Sequence, residues 1–373
     1  MRLLDRYLLR ELLIPLGYCL GGFLIFWMAF DLFSELNNFQ EHKLGVGDIL
    51  QYYCVKAPEF LVVVLPIALL LALLYTLTNH ARHHEITAIR SAGVSLWRLC
   101  LPYLVVGLGL SLLLFMVNEL WAPQGSERAQ RIVNRRLTPQ DKPADELVQS
   151  AGLANLREGR RWLAGDYNPK TSQMRNPLVI WTLPDGSQLW LWAARAIRAQ
   201  GVWTFFDARE YRASGQTNSL LTPALHTNLL AMPQFRETPE EIQSEINISR
   251  GMSLRAKNRA DIPIAQILDY LRLHPHPAET IRPWLYTKLQ GRLAAPWTCL
   301  VVVLIAIPFG AASGRRNVFF GVAGSIFICF VFFVLQQLGL ALGTGGYLAP
   351  WLAAWLPNLS FGVAGLWMTA RVR

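Results

Sequence analysis

Charged residues are scarce in this sequence: they make up 16% of its 373 residues, whereas hydrophobic residues make up 53%. Soluble globular domains carry about 25% charged residues. The shortage lies mainly at the two ends of the chain, and a more polar stretch separates them. This distribution excludes a wholly soluble chain and predicts two membrane-embedded halves around a soluble insert.

Cysteine is absent from the polar middle of the chain. Four of the five cysteines lie within apolar runs and one immediately precedes such a run; they are Cys19, Cys54, Cys100, Cys299 and Cys329. This placement excludes a disulfide framework in the middle. No two cysteines have the C-x-x-C spacing of a zinc site, so we interpret them as small apolar helix residues.

The sequence also lacks the phosphate-binding loop G-x-x-x-x-G-K-[ST]. The nearest stretch, residues 310–316, has neither the lysine nor the hydroxyl that would hold phosphate and magnesium. We therefore expect no ATP hydrolysis by this chain and no cofactor in it. The formal net charge of +10 does not call for a nucleic-acid partner, because about half the arginines of the hydrophobic ends are explained by membrane topology.

Six apolar runs are each long enough to cross a membrane, for which a helix needs about 20 mostly apolar residues. They cover residues 12–33, 57–78, 99–121, 289–312, 318–342 and 351–370. The first run is too long for the hydrophobic part of a typical signal peptide, so we expect it to be retained. The predicted fold is an α-helical membrane protein with six transmembrane helices.

Arginines flank these runs on one side of the predicted membrane. They precede the first run, join the second to the third and the fourth to the fifth, and end the chain, whereas the opposite short loops contain only Lys43 and Lys56. Loops rich in Lys and Arg stay in the cytoplasm. We therefore predict cytoplasmic termini and three domains: a first transmembrane half (1–121), an extracytoplasmic domain (122–287) and a second transmembrane half (288–373).

The pattern of the insert changes after Pro139. Short runs rich in aromatic and β-branched residues alternate with turn signals at residues 168–169 and 184–186. Such spacing is typical of short antiparallel strands in a sandwich or jelly roll. The residues that we interpret as lining its interior are Trp190, Trp192, Trp203 and Phe205.

The cytoplasmic connection between the second and third runs carries the densest cluster of titratable side chains, His80, His83, His84 and Glu85. Histidines three or four residues apart could ligate a metal ion. No H-E-x-x-H pattern and no second group of ligands accompanies them, so we predict no metal site. A polar loop beside a helix end is the simpler alternative.

The same connection also has the pattern of a short amphipathic helix. Ile86 and Ile89 share one side of it, and Gly93 stands where a C-terminal glycine cap would end it. A helix lying across the cytoplasmic face offers a surface against which a partner protein could push.

The segment NHARHHEITAIRSAGVSLWRL, at residues 79–99, resembles the permease subunits of the lipopolysaccharide exporter, the LptF/LptG family. In that family E-I-x-x-x-R/H-x-x-G-x-S forms a coupling helix that docks on an ATPase dimer. The stretch KLQGRLAAPWTCLVVVLIAIPFGAASGRR resembles the family's fourth helix and its arginine-bearing turn, and LPNLSFGVAG resembles its last helix. RETPEEI, before the second half, is also similar, so the likeness covers nearly the whole chain in order.

The resemblance implies a noncatalytic subunit of an ATP-driven lipid extractor in the inner membrane of a Gram-negative-type bacterium. Two homologous permeases pair with a cytoplasmic ABC ATPase dimer, which binds ATP and magnesium. Their first and fifth helices gate a cavity that takes up lipopolysaccharide from the outer leaflet. The jelly-roll domain then passes the lipid to periplasmic bridge proteins of the same fold.

Within the coupling helix, expected at about residues 80–95, Glu85 matches the glutamate of the family motif. The resemblance implies a charged contact between Glu85 and an arginine of the ATPase. The alternative is a solvated carboxylate at a helix start, which the helix dipole favours by about 0.3–1 kcal/mol. Arg82 and Arg90 either join the coupling contact or simply set the topology.

Asp31 and Glu35 lie near the outer end of the first helix, where a carboxylate needs water or a partner. The family places a basic and an acidic residue at this lipid-binding gate. This sequence has no lysine in that turn, and Lys43 is the nearest, so one expectation is that the partner subunit supplies the cation. Further along, a second candidate group could bind the anionic phosphates of a lipid or form a solvated basic face; it consists of Arg128, Arg131, Arg135 and Arg136.

Two glycine pairs have the G-x-x-x-G spacing of close helix contacts. Gly17 and Gly21 lie in the first helix, and Gly339 and Gly343 end the fifth, the two helices that the family uses as gates. We therefore predict that these pairs contribute to gate packing, although apolar helices also contain such spacings by chance.

Two rival functions belong to other classes. A membrane-embedded enzyme acting on lipid headgroups would need a cluster of acids, bases or metal ligands at the outer membrane face. The carboxylates there are scattered along the sequence: Asp31, Glu35, Asp48, Glu59 and Glu119. The other rival is a scaffold that assembles envelope complexes without moving lipid.

Overall fold

The computed structural model describes residues 3–134, 148–155, 159–168, 171–183, 187–213, 222–252, 262–275, 277, 279–311 and 318–371. The chain divides into two compact units. The helical unit comprises Met1–Thr138, Arg259–Ile264 and Glu279–Arg373, and the second unit comprises Pro139–Asn258 and Ala265–Ala278. The predicted domain boundaries at residues 121 and 287 mark where the chain is expected to leave and re-enter the membrane, whereas these two units are defined by packing. Those boundaries therefore stay a prediction.

The helices and strands begin and end at the following residues. The helices are α1 (Leu3–Glu41), α2 (Val46–Arg82), α3 (Glu85–Ser91), α4 (Leu96–Met116), a π-helical turn (Val117–Trp121), α5 (Ala122–Asn134), α6 (Pro239–Met252), α7 (Ile264–Leu273), α8 (Arg282–Ala294), a 3₁₀ turn (Ala295–Trp297), α9 (Thr298–Ala311), α10 (Val318–Thr344) and α11 (Pro350–Arg371). The strands are β1 (Val148–Asn155), β2 (Arg160–Asn168), β3 (Gln173–Arg175), β4 (Leu178–Thr182), β5 (Gln188–Trp192), β6 (Arg195–Ala199), β7 (Val202–Ala213) and β8 (Thr222–Met232).

Five helical segments within the described residues are long and apolar enough to cross a membrane. They are Leu3–Glu41, Val46–Arg82, Leu96–Gly125, Arg282–Pro308 and Ile326–Thr344. They coincide with the first five predicted runs. The sixth run forms α11, a helix of 22 residues that is not among these five. Its crossing of the membrane therefore stays a prediction.

Helices α1 and α2 form a long antiparallel hairpin whose turn lies between Glu41 and Val46. Antiparallel helices with equal rise bring together residues that are equally far from the turn. Three contacts follow this rule, and they join Tyr7 to His80, Glu11 to Thr76, and Asp31 to Lys56. The hairpin therefore has one register along its whole length.

Pro15 lies inside α1, and it has no N–H to donate to the carbonyl of Glu11 four residues earlier. The hydroxyl of Thr76 in α2 lies 3.0 Å from that carbonyl oxygen. A carbonyl without a partner inside a membrane is costly. The same hydroxyl lies 2.8 Å from the carbonyl of Ala72, so its single proton is shared between two acceptors and offsets this cost only in part.

The core of the helical unit is built around α2. Of the most apolar window of α2, 67% is buried, compared with 11% for α1. Helix α1 contributes a narrow stripe to this core, formed by Leu8, Leu12 and Leu16 at helical spacing. Helix α1 is therefore attached along one edge, and most of its surface faces outward.

The predicted all-β insert is confirmed: eight strands within its described residues form one antiparallel sheet. The long strand β2 pairs with β1 on one side, and with β3 and β4 end to end on the other. Strand β7 likewise pairs with β8 on one side and with β5 and β6 on the other. Pairing of β3 with β6, and of β4 with β5, joins these two parts into a single sheet rather than two separate ones.

One face of this sheet forms the core of the second unit. Trp162, Trp203 and Phe205 are fully buried there, and Phe235 and residues of α6 cover them. The expectation for Trp203 and Phe205 is thus confirmed. The expectation for Trp190 and Trp192 is wrong: both are only half-buried, because Leu191 between them points into the core and strand residues alternate sides.

The segment RETPEEI joins the sheet to α6 through specific polar contacts. The buried Glu237 pairs with Arg160 at 3.4 Å, and its backbone carbonyl accepts a hydrogen bond of 2.9 Å from Trp203. The next residue, Thr238, caps α6: its hydroxyl accepts from the backbone N–H of Glu241, whose carboxylate accepts from the N–H of Thr238. This reciprocal capping box explains why α6 begins there.

Candidate functional sites at the two ends of the α1–α2 hairpin

The connection between α2 and α4 contains a short helix, α3, held by sharp turns at both ends. His84 before it is left-handed (φ 59°), and Gly93 after it has a φ of 86° that glycine adopts without strain. Ile86 is buried and Ile89 is half-buried, as the amphipathic pattern predicts. The helix therefore lies with its apolar side on the helical core and its other side exposed.

Glu85, the first residue of α3, does not point freely into solvent. One carboxylate oxygen, Oε2, accepts a hydrogen bond of 3.0 Å from the hydroxyl of Tyr7 in α1. The same oxygen lies 2.7 Å from Nδ1 of His80, near the end of α2. Because a carboxylate oxygen accepts hydrogen bonds, the imidazole donates from Nδ1. A single carboxylate thus joins three helices.

The other polar residues of this connection are exposed. Arg82 and Arg90 face solvent, as do His83 and His84, whereas the side chain of His80 is only 2% exposed. The buried side chain of His80 is therefore separated from the exposed side chains of His83 and His84, the two residues that its sequence spacing suggested as further metal ligands. Within the described residues, no group of three or more potential metal ligands comes together.

At the other end of the hairpin, Asp31 forms a second polar cluster. Nζ of Lys56 in α2 lies 3.1 and 3.2 Å from the two carboxylate oxygens of Asp31, and Tyr53 donates to the same carboxylate at 3.2 Å. Lys56 also donates to the hydroxyl of Tyr52 at 2.8 Å. The side chains of Lys56 and Asp31 are 11% and 19% exposed, so the ion pair is well shielded from water.

This cluster corrects the expected source of the cation. Asp31 is paired within its own chain by Lys56, neither by Lys43 nor by a residue that the partner subunit must supply. Lys56 lies 25 residues from Asp31 in the sequence, so spacing within the turn of Asp31 does not point to it. The register of the hairpin predicts this pair, because Asp31 and Lys56 are equally far from the turn between α1 and α2. Glu35, one turn on, is half-buried and accepts 2.9 Å from the amide of Asn38.

Aromatic rings surround this outer cluster. Phe39, Tyr52, Tyr53 and Phe60 are buried together with apolar residues of α5. Gly125 of α5 comes so close to α2 that a β-carbon there would lie 2.6 Å from the carbonyl oxygen of Val55. Helix α5 therefore belongs to the wall of the site.

The four predicted arginines have different outcomes. Arg128, on α5, is exposed. Arg131 lies on the same helix, but its side chain is outside the described part of the structure, as are Arg135 and Arg136 altogether. Their role in lipid binding stays a prediction.

The two glycine pairs have different surroundings. A β-carbon at Gly339 would lie 2.5 Å from the carbonyl oxygen of Ala353 in α11, and one at Gly343 would lie 2.6 Å from the β-carbon of Ala353. This second pair packs helices of the same chain together. Around Gly17 and Gly21 nothing lies within 4 Å in the described residues, so that face of α1 is open.

A buried charge in α8 was missed from the sequence. The side chain of Arg292 is 3% exposed. It donates a hydrogen bond of 2.8 Å to the backbone carbonyl of Asn118, and it forms an ion pair of 3.6 Å with Glu119. Both partners lie in the π-helical turn, immediately before Pro123 in α5. A π turn leaves backbone groups out of the regular α-helical pattern. The sequence feature that indicated a buried charge is the arginine within the largely apolar stretch KLQGRLAAP, which is Arg292.

Comparison with known proteins identifies the family of this chain. No curated protein matches the chain. A sequence model of the family described as "Lipopolysaccharide export system permease LptF/LptG" matches residues 6–371, which is essentially the whole chain. The chain therefore belongs to the LptF/LptG family of lipopolysaccharide export permeases.

Proposed function

We propose that this chain is the noncatalytic permease subunit of an ATP-driven exporter that extracts lipopolysaccharide from the outer leaflet of the inner membrane. The observation that carries the proposal is α3, a short helix between two sharp turns that joins two membrane helices and exposes one side. A helix of this kind lets a separate ABC ATPase dimer act on the membrane helices. ATP and magnesium are then bound by that partner.

The coupling contact involves Glu85, with Arg82 and Arg90 beside it. Arg82 and Arg90 are exposed and can meet the ATPase directly. The side chain of Glu85 is 32% exposed, so a cationic group of the ATPase can approach it from the open side. Such a group competes with Tyr7 and His80 for the carboxylate.

The substrate contact involves the outer cluster of Asp31 and Lys56. Nζ of Lys56 lies within hydrogen-bond distance of three acceptors, the two carboxylate oxygens of Asp31 and the hydroxyl of Tyr52, and an ammonium group has three donors. A lipid phosphate that binds Lys56 therefore competes with the Asp31 carboxylate. Glu35 is half-buried one turn further along α1, and Arg128 is exposed on α5. This exchange makes binding selective for strongly anionic headgroups.

The remaining parts of the proposal concern orientation and partners. Both termini are cytoplasmic and the β domain is periplasmic, as the distribution of arginines favours. A homologous permease completes the cavity, with α1 and α10 as its gates. The β domain passes the lipid to periplasmic bridge proteins of similar jelly-roll fold.

The test is ATP-dependent release of lipopolysaccharide from proteoliposomes that contain this chain, its homologous partner and the ATPase. We expect Glu85→Ala to lower ATP-dependent release at least tenfold while lipopolysaccharide still binds. The matched control is Glu279→Ala, which removes a carboxylate that is 93% exposed and distant in sequence from α3. This control should release lipid as the unaltered complex does.

Two outcomes contradict the proposal. If the assembled complex neither binds nor releases lipopolysaccharide, the exporter loses its substrate and a scaffold becomes the better interpretation. If release is unchanged in Glu85→Ala, the coupling role assigned to α3 is wrong.

A further inference from the structure

Three helices meet at one carboxylate oxygen on the predicted cytoplasmic side. We name the group of Tyr7, His80 and Glu85 the inner clasp. Its two polar contacts measure 3.0 and 2.7 Å, and the rings of Tyr7 and His80 lie 5.7 Å apart. His80 is almost completely buried, and its Nε2 has no hydrogen-bond partner among the described residues. Burying Nε2 without a partner costs free energy, so the hydrogen bond between Nδ1 and Glu85 is the polar contact that holds this ring in place.

The clasp acts on a helix that packs against the rest of the helical unit along one side only. Helix α1 is the least buried of the five apolar spans and touches the helical core along one stripe. Besides that stripe, the polar contacts near the inner end of α1 include that of Tyr7 with Glu85, an ion pair of 2.9 Å between Asp5 and Arg98, and the hydroxyl of Thr76 3.0 Å from the carbonyl of Glu11. Polar contacts are directional, so they fix how α1 is rotated about its axis.

Helix α1 also carries the outer cluster. It is a continuous helix from Leu3 to Glu41, so Tyr7 and Asp31 lie on one element, roughly 36 Å apart at 1.5 Å per residue. A rotation or tilt of α1 at its inner end therefore changes the position of Asp31 relative to Lys56. The inner clasp and the outer cluster therefore lie at opposite ends of the same helix, so that a movement of α1 affects both.

We propose that the inner clasp transmits the action of the ATPase from α3 to α1, and that Tyr7 and His80 are its positioning residues. A cationic side chain of the ATPase draws the carboxylate of Glu85 away from Tyr7, the inner end of α1 is released, and the pairing of Asp31 with Lys56 loosens. His80 keeps Glu85 oriented so that the carboxylate exchanges between these two partners. This inference rests on the proposed function and adds the route between its two sites.

The experiment compares Tyr7→Phe with Tyr18→Phe in the complete complex in proteoliposomes. Tyr7→Phe removes one hydroxyl and keeps the ring, and Glu85 stays available to the ATPase. Tyr18 lies on the same helix, 78% exposed, and serves as the matched control. ATP hydrolysis and lipopolysaccharide release are measured together, and the result is the number of lipid molecules released per ATP.

We expect Tyr7→Phe to lower release per ATP at least fivefold while ATP hydrolysis stays within about twofold of the unaltered complex. Tyr18→Phe should change neither quantity. For the histidine, His80→Asn keeps a donor close to the position of Nδ1 and should retain most of the coupling. His80→Leu has no donor and should lose it.

The proposal is overturned if Tyr7→Phe and Tyr18→Phe release the same amount of lipid per ATP. It is also overturned if ATP hydrolysis and release fall in proportion, because the clasp then serves only folding or assembly. Failure of the proposed function is distinguishable from both results, since the unaltered complex would then release no lipopolysaccharide with ATP.

Discussion

The ion pair between Asp31 and Lys56 allows a quantitative test of the outer cluster. The changes are Asp31→Asn and Lys56→Met, made singly and together. Asparagine keeps the shape and an acceptor oxygen, and methionine keeps most of the apolar stem of lysine. Each single change therefore leaves one charge of the ion pair without its closest partner, and the double change removes both charges of the pair.

The structure sets the expected size of the effect. At 3.1 Å and an effective dielectric constant of about 20, the attraction between unit charges is about 5 kcal/mol. Loss of one partner of a shielded pair costs about 3–5 kcal/mol, because the remaining charge stays out of water. The double variant has no such charge and should lose much less stability than the two single variants combined. We expect a coupling energy of at least about 2 kcal/mol, a factor of roughly 30 in the unfolding equilibrium.

The measurement is the free energy of unfolding of the purified chain in mixed micelles, followed by the far-UV circular dichroism of its helices. Arg282 and Glu279 form the control pair: their closest atoms are 3.9 Å apart and both side chains are exposed, so their changes should be additive. Additive effects at Asp31 and Lys56, within about 0.5 kcal/mol, would refute the cluster as described.

Two further predictions concern helix packing and the β domain. Gly339→Ala should destabilise the chain by about 1–3 kcal/mol because the new methyl meets a backbone carbonyl 2.5 Å away. Gly17→Ala has open space around it and should leave the unfolding free energy unchanged or raise it by up to about 1 kcal/mol, which is the helix-propensity difference between Gly and Ala. Equal effects of the two changes would contradict the described packing. Burial raises the pKa of the Glu245 carboxyl, and the hydrogen bond from Tyr270 and the nearby His274 only partly oppose this. The folded state therefore holds more protons than the unfolded state above about pH 4.3, and protection of α6 and α7 in hydrogen exchange should fall as the pH rises through the raised pKa of Glu245. Glu245→Gln should flatten this dependence, and an unchanged profile would assign it to another group.

The inner and outer clusters suggest how a permease chain could change conformation. Each depends on a carboxylate of limited exposure with more than one possible partner: Glu85 between Tyr7 and an external cation, and Asp31 between Lys56 and water. An element with two alternative arrangements of similar free energy can be biased from either end. Helix α1 joins the two clusters and therefore decides whether they respond together.

Features that depend on local patterning could be predicted from the sequence alone. Apolar runs long enough for a membrane located the helices, because hydrophobicity over about 20 residues decides insertion. Alternation and turn residues located the β domain, and Gly93 located the end of α3. The match of Glu85 to the coupling motif was equally local, since it depended on spacing within eleven residues.

Partnerships between distant residues were decided only by the tertiary structure. Asp31 was recognised as a costly carboxylate, yet its cation, Lys56, comes from the opposite arm of the hairpin. Tyr7 had no sequence feature that pointed to Glu85, and the strand of Trp190 could be read with either face inward until its pairing was known. The local sequence indicates which secondary structure a residue favours and whether its side chain needs a polar partner. Which partner it meets depends on helix register and on which side of a strand faces the core, and both are set by packing of the whole chain.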